Sequence, residues 1–259
     1  MHCFPFGMPV RPVEQQDRSP KRVFVLGVYA SAVHARWLGH DGRTWVNALA
    51  VASEPEIFWR GDDAHTIIAA IQIPPAAGKL IPASPSLNGP SGRTLDDKFL
   101  APLGLERHDA WLCDLLPESR KNPGQAAALT RAYDPVQNEL GLPAYDWPPV
   151  PEVLANSQRC AEIEQELCAA APDVLITLGD QPLRWFVSKF GSRDRLSDYG
   201  DGEETYGRLH PLCIAGRNLN LLPLVHPRQA GGLGSHSQRW SALHQYWIDN
   251  RAAGLLNRD

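Results

Sequence analysis

Three residues with chemically reactive side chains lie in or just after short apolar segments. They are Tyr29, Asp114 and His226. A buried carboxylate such as Asp114 is costly without a partner, so it could act as a general base, accept a hydrogen bond from a ligand, or cap a helix. Pro227 stops the strand before it, so the His226 imidazole could donate a hydrogen bond to developing negative charge. A purely structural role is the alternative for each.

Four apolar segments would position these residues. They are rich in leucine or β-branched residues and lack strict alternation, which is typical of strands buried on both faces of a parallel sheet. They are Arg22–Gly27, Trp111–Leu116, Val174–Gly179 and Asn220–His226. Because ligands bind at the carboxyl ends of such strands, we predict that Tyr29, Asp114 and His226 share one cleft. Gly27, Ser31 and Arg228 adjoin the same strands and are expected to line it.

The turn from Gly27 to Ser31 is predicted to lead from a strand into a helix over Ala32–Leu38. Free backbone N–H groups at such a turn suit an anion or the edge of a base. The turn lacks the glycines and the Lys-Ser/Thr pair of a phosphate loop, and an ordinary strand-to-helix connection is the alternative.

The other elements are predicted from periodicity and breakers. Thr44–Ser53 and Glu56–Arg60 are predicted as a hairpin, and Ile73–Ser91 as irregular. Helices are predicted over Asp62–Ala70, Leu95–Leu103, Glu152–Ala170, Asp180–Lys189 and Ser237–Asn250. Strands alternating with helices predict an α/β fold, a three-layer αβα sandwich around a four-stranded parallel sheet with the hairpin as an extra insertion. We expect one domain over residues 21–259, an insertion at about 40–87, and a loose lead-in over residues 1–20.

The composition sets limits on partners. The net charge of −4 gives no global basic field that would indicate nucleic acid. From Arg208 onward, however, the sequence has six arginines and only two acidic residues, Asp249 and Asp259. The arginines are Arg208, Arg217, Arg228, Arg239, Arg251 and Arg258. They are either scattered surface residues or a phosphate-contacting face.

Cofactor, metal and membrane signals are absent from the sequence. The five cysteines are widely spaced without a Cys-x-x-Cys pair, as expected for free thiols in a reducing compartment. The histidines have no metal-ligand spacing, so we expect neither a metal nor another cofactor. No apolar run is long enough to span a membrane, and the N-terminus lacks the layout of a secretion signal, which favours the cytoplasm. No obligate protein partner is evident.

Four stretches together resemble a known family. Gly89–Asp96 reads G-x-x-G-x-x-L-D, Trp111–Asp114 is a strand with a polar end, Pro172–Gly179 reads P-x-x-(apolar)-L-G, and Val225–Pro227 contains a His-Pro pair. In order and spacing they are similar to the uracil-DNA glycosylase superfamily, most of all to its iron–sulfur, thermostable-type branch.

This resemblance implies cleavage of the N-glycosidic bond of a base flipped out of DNA. His226 matches the histidine that stabilises negative charge on the departing base. Asp114 stands where the family has an asparagine that reads the base edge, and an ionised carboxylate accepts but cannot donate. Leu87 stands where an aromatic ring stacks on the base. Val28–Ala30 stand where a polar or acidic residue, followed by proline, positions water.

The cluster cysteines of that branch are missing apart from Cys160, so we expect no iron–sulfur cluster. The functional expectation is a divergent glycosylase-like protein that binds or excises a nucleobase in DNA. One alternative is a catalytically silent protein of the same fold that binds nucleic acid or a nucleotide. Another is a hydrolase acting on a small nucleoside-like substrate, which fits the acidic charge balance better.

Overall fold

A computed structural model describes residues 2–233 and 237–256 of the chain. The strands in these residues are β1 (Val23–Tyr29), β2 (Ala32–Leu38), β3 (Thr44–Ser53), β4 (Lys79–Pro82), β5 (Ala110–Leu116), β6 (Val174–Leu178), β7 (His210–Ile214) and β8 (Arg217–Leu224). The α-helices are α1 (Ala64–Ala69), α2 (Pro90–Leu95), α3 (Pro123–Ala128), α4 (Ser157–Ala170), α5 (Asp180–Trp185), α6 (Pro227–Ala230) and α7 (Ser237–Trp247). Turns of π-helix extend α2, α3 and α7.

The chain packs as two units, each assembled from separate stretches. The first contains Met1–Val13, Tyr29–Gly92 and Pro117–Glu152, and the second contains Glu14–Val28, Arg93–Leu116 and Val153–Asp259. We call them the first and the second unit. The expectation of one domain over residues 21–259 stays a prediction.

The second unit is built on a five-stranded sheet in the order β5-β1-β6-β8-β7. β6 pairs in parallel with β1 and with β8, and Val174 lies opposite both Val23 and Asn220. All four predicted strands form, which confirms the α/β class. β6 is completely buried, as its unbroken apolar run predicts.

The predicted four-stranded parallel sheet is wrong in its strand number, because β7 adds a fifth, antiparallel strand. β7 and β8 form a hairpin in which His210 lies opposite Leu221. Its two loop residues, Ala215 and Gly216, have φ values of +49° and +78°. Positive φ at both loop positions matches the twist of the flanking strands, which is why two residues suffice to reverse the chain.

Helix α4 shows how local chemistry sets the boundaries of an element. It begins at Ser157, five residues later than predicted, because the Asn156 side chain accepts a hydrogen bond from the Arg159 N–H at 2.9 Å. It ends at Ala170, because the next residue, Ala171, is in the left-handed region at φ +49°. Its buried positions, spaced three and four apart, face the core and are Cys160, Ile163, Leu167 and Ala170.

The first unit holds an antiparallel three-stranded sheet in the order β3-β2-β4. The predicted helix over Ala32–Leu38 is wrong, since this segment is β2. Val33, Ala35 and Trp37 are fully buried while the residues between them are half-buried, which is the period of a strand. The predicted strand at Glu56–Arg60 is also wrong, because β3 pairs with β2 instead.

Two stretches expected to be loose or irregular are ordered parts of the first unit. Phe4 and Phe6 of the lead-in are buried, and the Phe6 ring lies 5.2 Å from the rings of both Trp37 and Tyr133. Ile73–Ser91 includes β4, whose Lys79–Pro82 pair with β2. Aromatic packing in the lead-in and strand pairing in the second stretch supply the order that the local sequence did not indicate.

Candidate functional site

The predicted site residues are divided between the two units. Gly27, Asp114, His226 and Arg228 belong to the second unit, whereas Tyr29, Ser31 and Leu87 belong to the first. A single cleft that includes Tyr29 stays a prediction.

Within the second unit, three parallel strands reach the same edge of the sheet. Thr177 lies opposite Leu26 of β1 and Pro223 of β8; β6 and β8 end one residue later, and β1 continues to Tyr29. Gly27, Gly179 and His226 therefore lie at this carboxyl edge, on adjacent strands about 5 Å apart. We call it the carboxyl edge.

The imidazole of His226 has a fixed tautomer. Its Nδ1 accepts a hydrogen bond from the backbone N–H of Arg228 at 3.1 Å, so the ring proton is assigned to Nε2. Burial, followed by the nearby charge of Arg228, lowers the pKa of His226 to about 4. His226 is thus a neutral donor at pH 7.

Gly179 makes room for that ring. Its φ is +84°, in the left-handed region, and a Cβ added to it would lie 3.2 Å from the Cβ of His226. Glycine is therefore favoured on two counts at the end of β6, by backbone conformation and by space.

A buried network that the sequence did not reveal holds the residue before His226. The Val225 N–H donates to the Tyr206 hydroxyl at 3.0 Å, and that hydroxyl lies 2.8 Å from Nδ1 of His244. Nε2 of His244 lies 2.9 Å from the Lys98 carbonyl oxygen, which can only accept. His244 therefore carries its proton on Nε2, and Tyr206 donates to Nδ1.

We expect Tyr206→Phe to destabilise the protein and slow any reaction that uses His226. The change leaves the Val225 N–H and Nδ1 of His244 buried without a partner, at a cost of roughly 2–4 kcal/mol. Urea unfolding measures the loss in the free energy of unfolding. Tyr246→Phe is the control, because its hydroxyl contact to Glu204 is exposed and long, at 3.4 Å. Equal stability of the two variants would contradict the network.

Asp114 is 4% exposed in the interior of β5. Burial raises its pKa to about 7, although the positive charge of Arg159 opposes the shift. A pKa near 7 makes both the protonated and the ionised form of Asp114 accessible around neutral pH. A protonated carboxyl can donate one hydrogen bond and accept another, as an asparagine amide does.

Arg159 supports Asp114 from α4. Its Nη2 donates to the backbone oxygen of Asp114 at 2.8 Å and contacts the sulfur of Cys113 at 3.2 Å. Its Nη1 pairs with Glu166 at 3.1 Å and with Glu162 at 3.3 Å. The guanidinium thus fixes the backbone at Asp114 while its charge limits the rise in the carboxyl pKa.

The first unit places its predicted site residues differently from expectation. β1 continues to Tyr29 and β2 starts at Ala32, so the turn between them leads into a strand and not a helix. The Ser31 N–H is not free for a ligand, because it donates to Oε1 of Glu54 at 2.9 Å. Glu54 itself is 5% exposed, which makes it a structural acceptor in this turn. Leu87 is 43% exposed at the end of a 3₁₀ turn.

The glycines of the G-x-x-G stretch have a packing role in the first unit. A Cβ at Gly92 would lie 2.1 Å from the carbonyl oxygen of Phe58, and one at Gly89 would lie 2.0 Å from the carbonyl carbon of Arg60. Close backbone approach accounts for both glycines without a ligand.

Residues 2–233 and 237–256 contain no group of three or more His, Cys, Asp or Glu side chains arranged to hold a metal ion. In the same residues, no helix has the length and apolar character needed to cross a membrane. No protein-family model matches the chain, and no curated protein matches it either.

Proposed function

We propose that the second unit binds a nucleobase of DNA at the carboxyl edge and cleaves its N-glycosidic bond. The observation that carries the proposal is His226, a neutral imidazole whose Nε2–H is the available donor where three parallel strands end. A departing base gains negative charge as its bond to the sugar breaks, and a fixed donor stabilises that charge most where water is excluded. The proposal includes the three-layer arrangement of helices on both faces of the sheet.

Asp114 would read the edge of the base. In its protonated form it offers a donor and an acceptor, which suits the amide edge of uracil. Once ionised it only accepts, and it then suits a base that presents donors. β5 and β8 are separated by β1 and β6, about 14 Å between strand axes, which leaves room for a planar ring between the two side chains.

The water that completes hydrolysis has no obvious activator. Val28, Tyr29 and Ala30 bring no carboxylate to the end of β1. Asp114, with a pKa near 7, would be the remaining general base, at the expense of its role in base reading. Slow or absent uracil release is therefore our expectation, and the missing carboxylate favours a second candidate function, binding of a base without cleavage.

The test is release of free base from labelled single-stranded and duplex oligonucleotides that carry uracil, hypoxanthine, xanthine or a mismatch. Release of one of these bases supports cleavage, and retention of a modified strand without release supports the binding function. Free nucleosides in the same assay test the third class, a small-substrate hydrolase. If the protein neither retains nor cleaves any of these substrates, the proposal is wrong.

A further inference from the structure

The loop between α5 and β7 in the second unit holds an arginine in a fixed position. The Arg193 guanidinium lies 5.9 Å from the centroid of the Tyr199 ring and donates to the backbone oxygen of Asp198. The Tyr199 hydroxyl donates in turn to the backbone oxygen of Arg193 at 3.1 Å. These contacts order the loop without neutralising the charge of Arg193.

Two further basic residues lie beside it. The ring of His210 packs edge-on against Tyr199, with 5.0 Å between centroids, so Tyr199 contacts both Arg193 and His210. Arg208 precedes His210 by two residues, which places both on the same side of an extended chain. Arg208 is exposed and makes no hydrogen bond or ion pair within the described part of the chain. We call Arg193, Arg208 and His210 the basic cluster.

Arg193 and Arg208 both act on His210. Burial and then the charges of Arg193 and Arg208 lower the pKa of His210. Among the acids of the loop, Asp194 lies 4.0 Å from Arg184, Asp201 pairs with Arg239 and Glu204 pairs with Arg251, while the carboxylates of Asp198 and Glu203 make no ion pair within the described residues. Nε2 of His210 is a buried polar atom with no partner in the described residues.

The basic cluster lies toward the carboxyl edge. β7 runs antiparallel to β8 with His210 opposite Leu221, so the residues before His210 lie level with the end of β8. The loop is tied to the same edge, because the Leu196 N–H donates to Oδ1 of Asp180 at 2.8 Å, and Asp180 follows Gly179. Arg208 is therefore level with Pro223, on the strand next to the one that leads to His226.

We propose that the basic cluster contacts a backbone phosphate of the DNA strand whose base enters the carboxyl edge. The identity of the polymer rests on the proposed function, whereas the choice of an anion rests on the cluster itself. Guanidinium groups bind phosphate oxygens with paired hydrogen bonds, and the two non-bridging oxygens of one phosphate can accept from two adjacent arginines. Such a local site reconciles a net charge of −4 with a polyanionic ligand.

Two other arginines of the C-terminal region are already engaged. Arg239 pairs with Asp201 at 2.5 Å, and Arg251 pairs with Glu204. Arg258 lies outside the described residues. Arg217 matches Arg208 in charge and in having no hydrogen bond or ion pair among the described residues, but it lies at the other end of the β7–β8 hairpin, opposite Ile214. It is about 20 Å from the level of Arg208 along the strand, which makes it a matched control.

The experiment measures binding of a labelled oligonucleotide duplex by fluorescence anisotropy at several salt concentrations. Each phosphate contact contributes about 0.9 to the slope of log K against log salt. We expect the double variant Arg193→Ala/Arg208→Ala to lower the slope by about that amount and each single variant by part of it, whereas Arg217→Ala leaves it unchanged. Far-ultraviolet circular dichroism and thermal unfolding check that each variant is folded.

The outcomes separate this inference from the proposed function. If the wild-type protein does not bind the duplex, or if Arg217→Ala lowers the slope as much as Arg208→Ala, the phosphate site is refuted. If the slopes respond as expected but no base is released or selectively retained, the phosphate site stands and the proposed function fails. If base release depends on His226 while neither Arg193→Ala nor Arg208→Ala changes the slope, the phosphate site fails alone.

Discussion

We expect His226→Ala to lower the rate of base release roughly 10²–10³-fold, which is the usual cost of losing one donor that stabilises a developing anion. The neutral ring donates through Nε2, because Nδ1 is occupied by the Arg228 N–H. Binding of the intact oligonucleotide changes little, since the leaving base carries its negative charge only as the bond breaks. Single-turnover release measured alongside anisotropy separates the two effects.

The pH dependence of this reaction follows from the same ring. With a pKa near 4, His226 stays a neutral donor from pH 5 upward, so no change in rate between pH 5 and 8 arises from His226.

His108→Ala is the matched control for His226→Ala, because the His108 side chain is 72% exposed in the same unit. A rate for His226→Ala within threefold of wild type would show that another group stabilises the leaving base.

Asp114→Asn is expected to stabilise the protein at alkaline pH by up to about 4 kcal/mol. Burial raises the pKa of Asp114 from 3.8 to about 7, so the folded state binds this proton more tightly than the unfolded chain does. Stability of the wild-type protein therefore falls as pH rises from about 4 to 7, and levels off above 7. The asparagine amide has no charge to bury and escapes this loss.

Urea unfolding at pH 4.5 and pH 8 measures the difference. The two proteins should have similar free energies of unfolding at pH 4.5 and diverge by pH 8. Asp249→Asn is the control, since Asp249 is exposed and accepts only from the Gln245 side chain. The same Asp114→Asn variant should shift base preference toward uracil at pH 8, where wild-type Asp114 can only accept. Identical pH profiles for variant and wild type would show that the carboxyl is ionised throughout.

The sequence predicts best those elements whose signal is local and strong. β1, β5, β6 and β8 each contain a mostly apolar run, interrupted in β5 by Asp114, and each forms a strand close to its predicted bounds. α4 is predicted from apolar residues spaced three and four apart.

The errors have one physical cause, which is pairing between distant segments. β2 contains alanine, arginine and leucine, all favourable in helices, but its pairing with β3 and β4 on either side overrides that preference. β7 is a short run whose alternation, buried at Leu212 and Ile214, becomes informative only beside β8.

The candidate site was predictable in its residue types and not in its chemistry. Asp114 and His226 were found from their positions in and after buried strands. Their protonation was not, because it depends on burial, on Arg159 and on the Arg228 backbone. Tyr206 and His244 lie 38 positions apart, and nothing in their spacing indicated a shared hydrogen bond.

The order in which the strands are synthesised also matters for folding in the cell. β1 lies between β5 and β6 in the sheet, yet Val23 cannot meet Val174 until the ribosome has made the segment between them. At about 5–20 residues per second this wait lasts roughly 8–30 s. During that time an apolar strand destined for burial has at most one neighbour, and a nascent chain with exposed apolar strands is prone to aggregate. We therefore expect the nascent chain to aggregate less when chaperones cover β1 until β6 has left the ribosome.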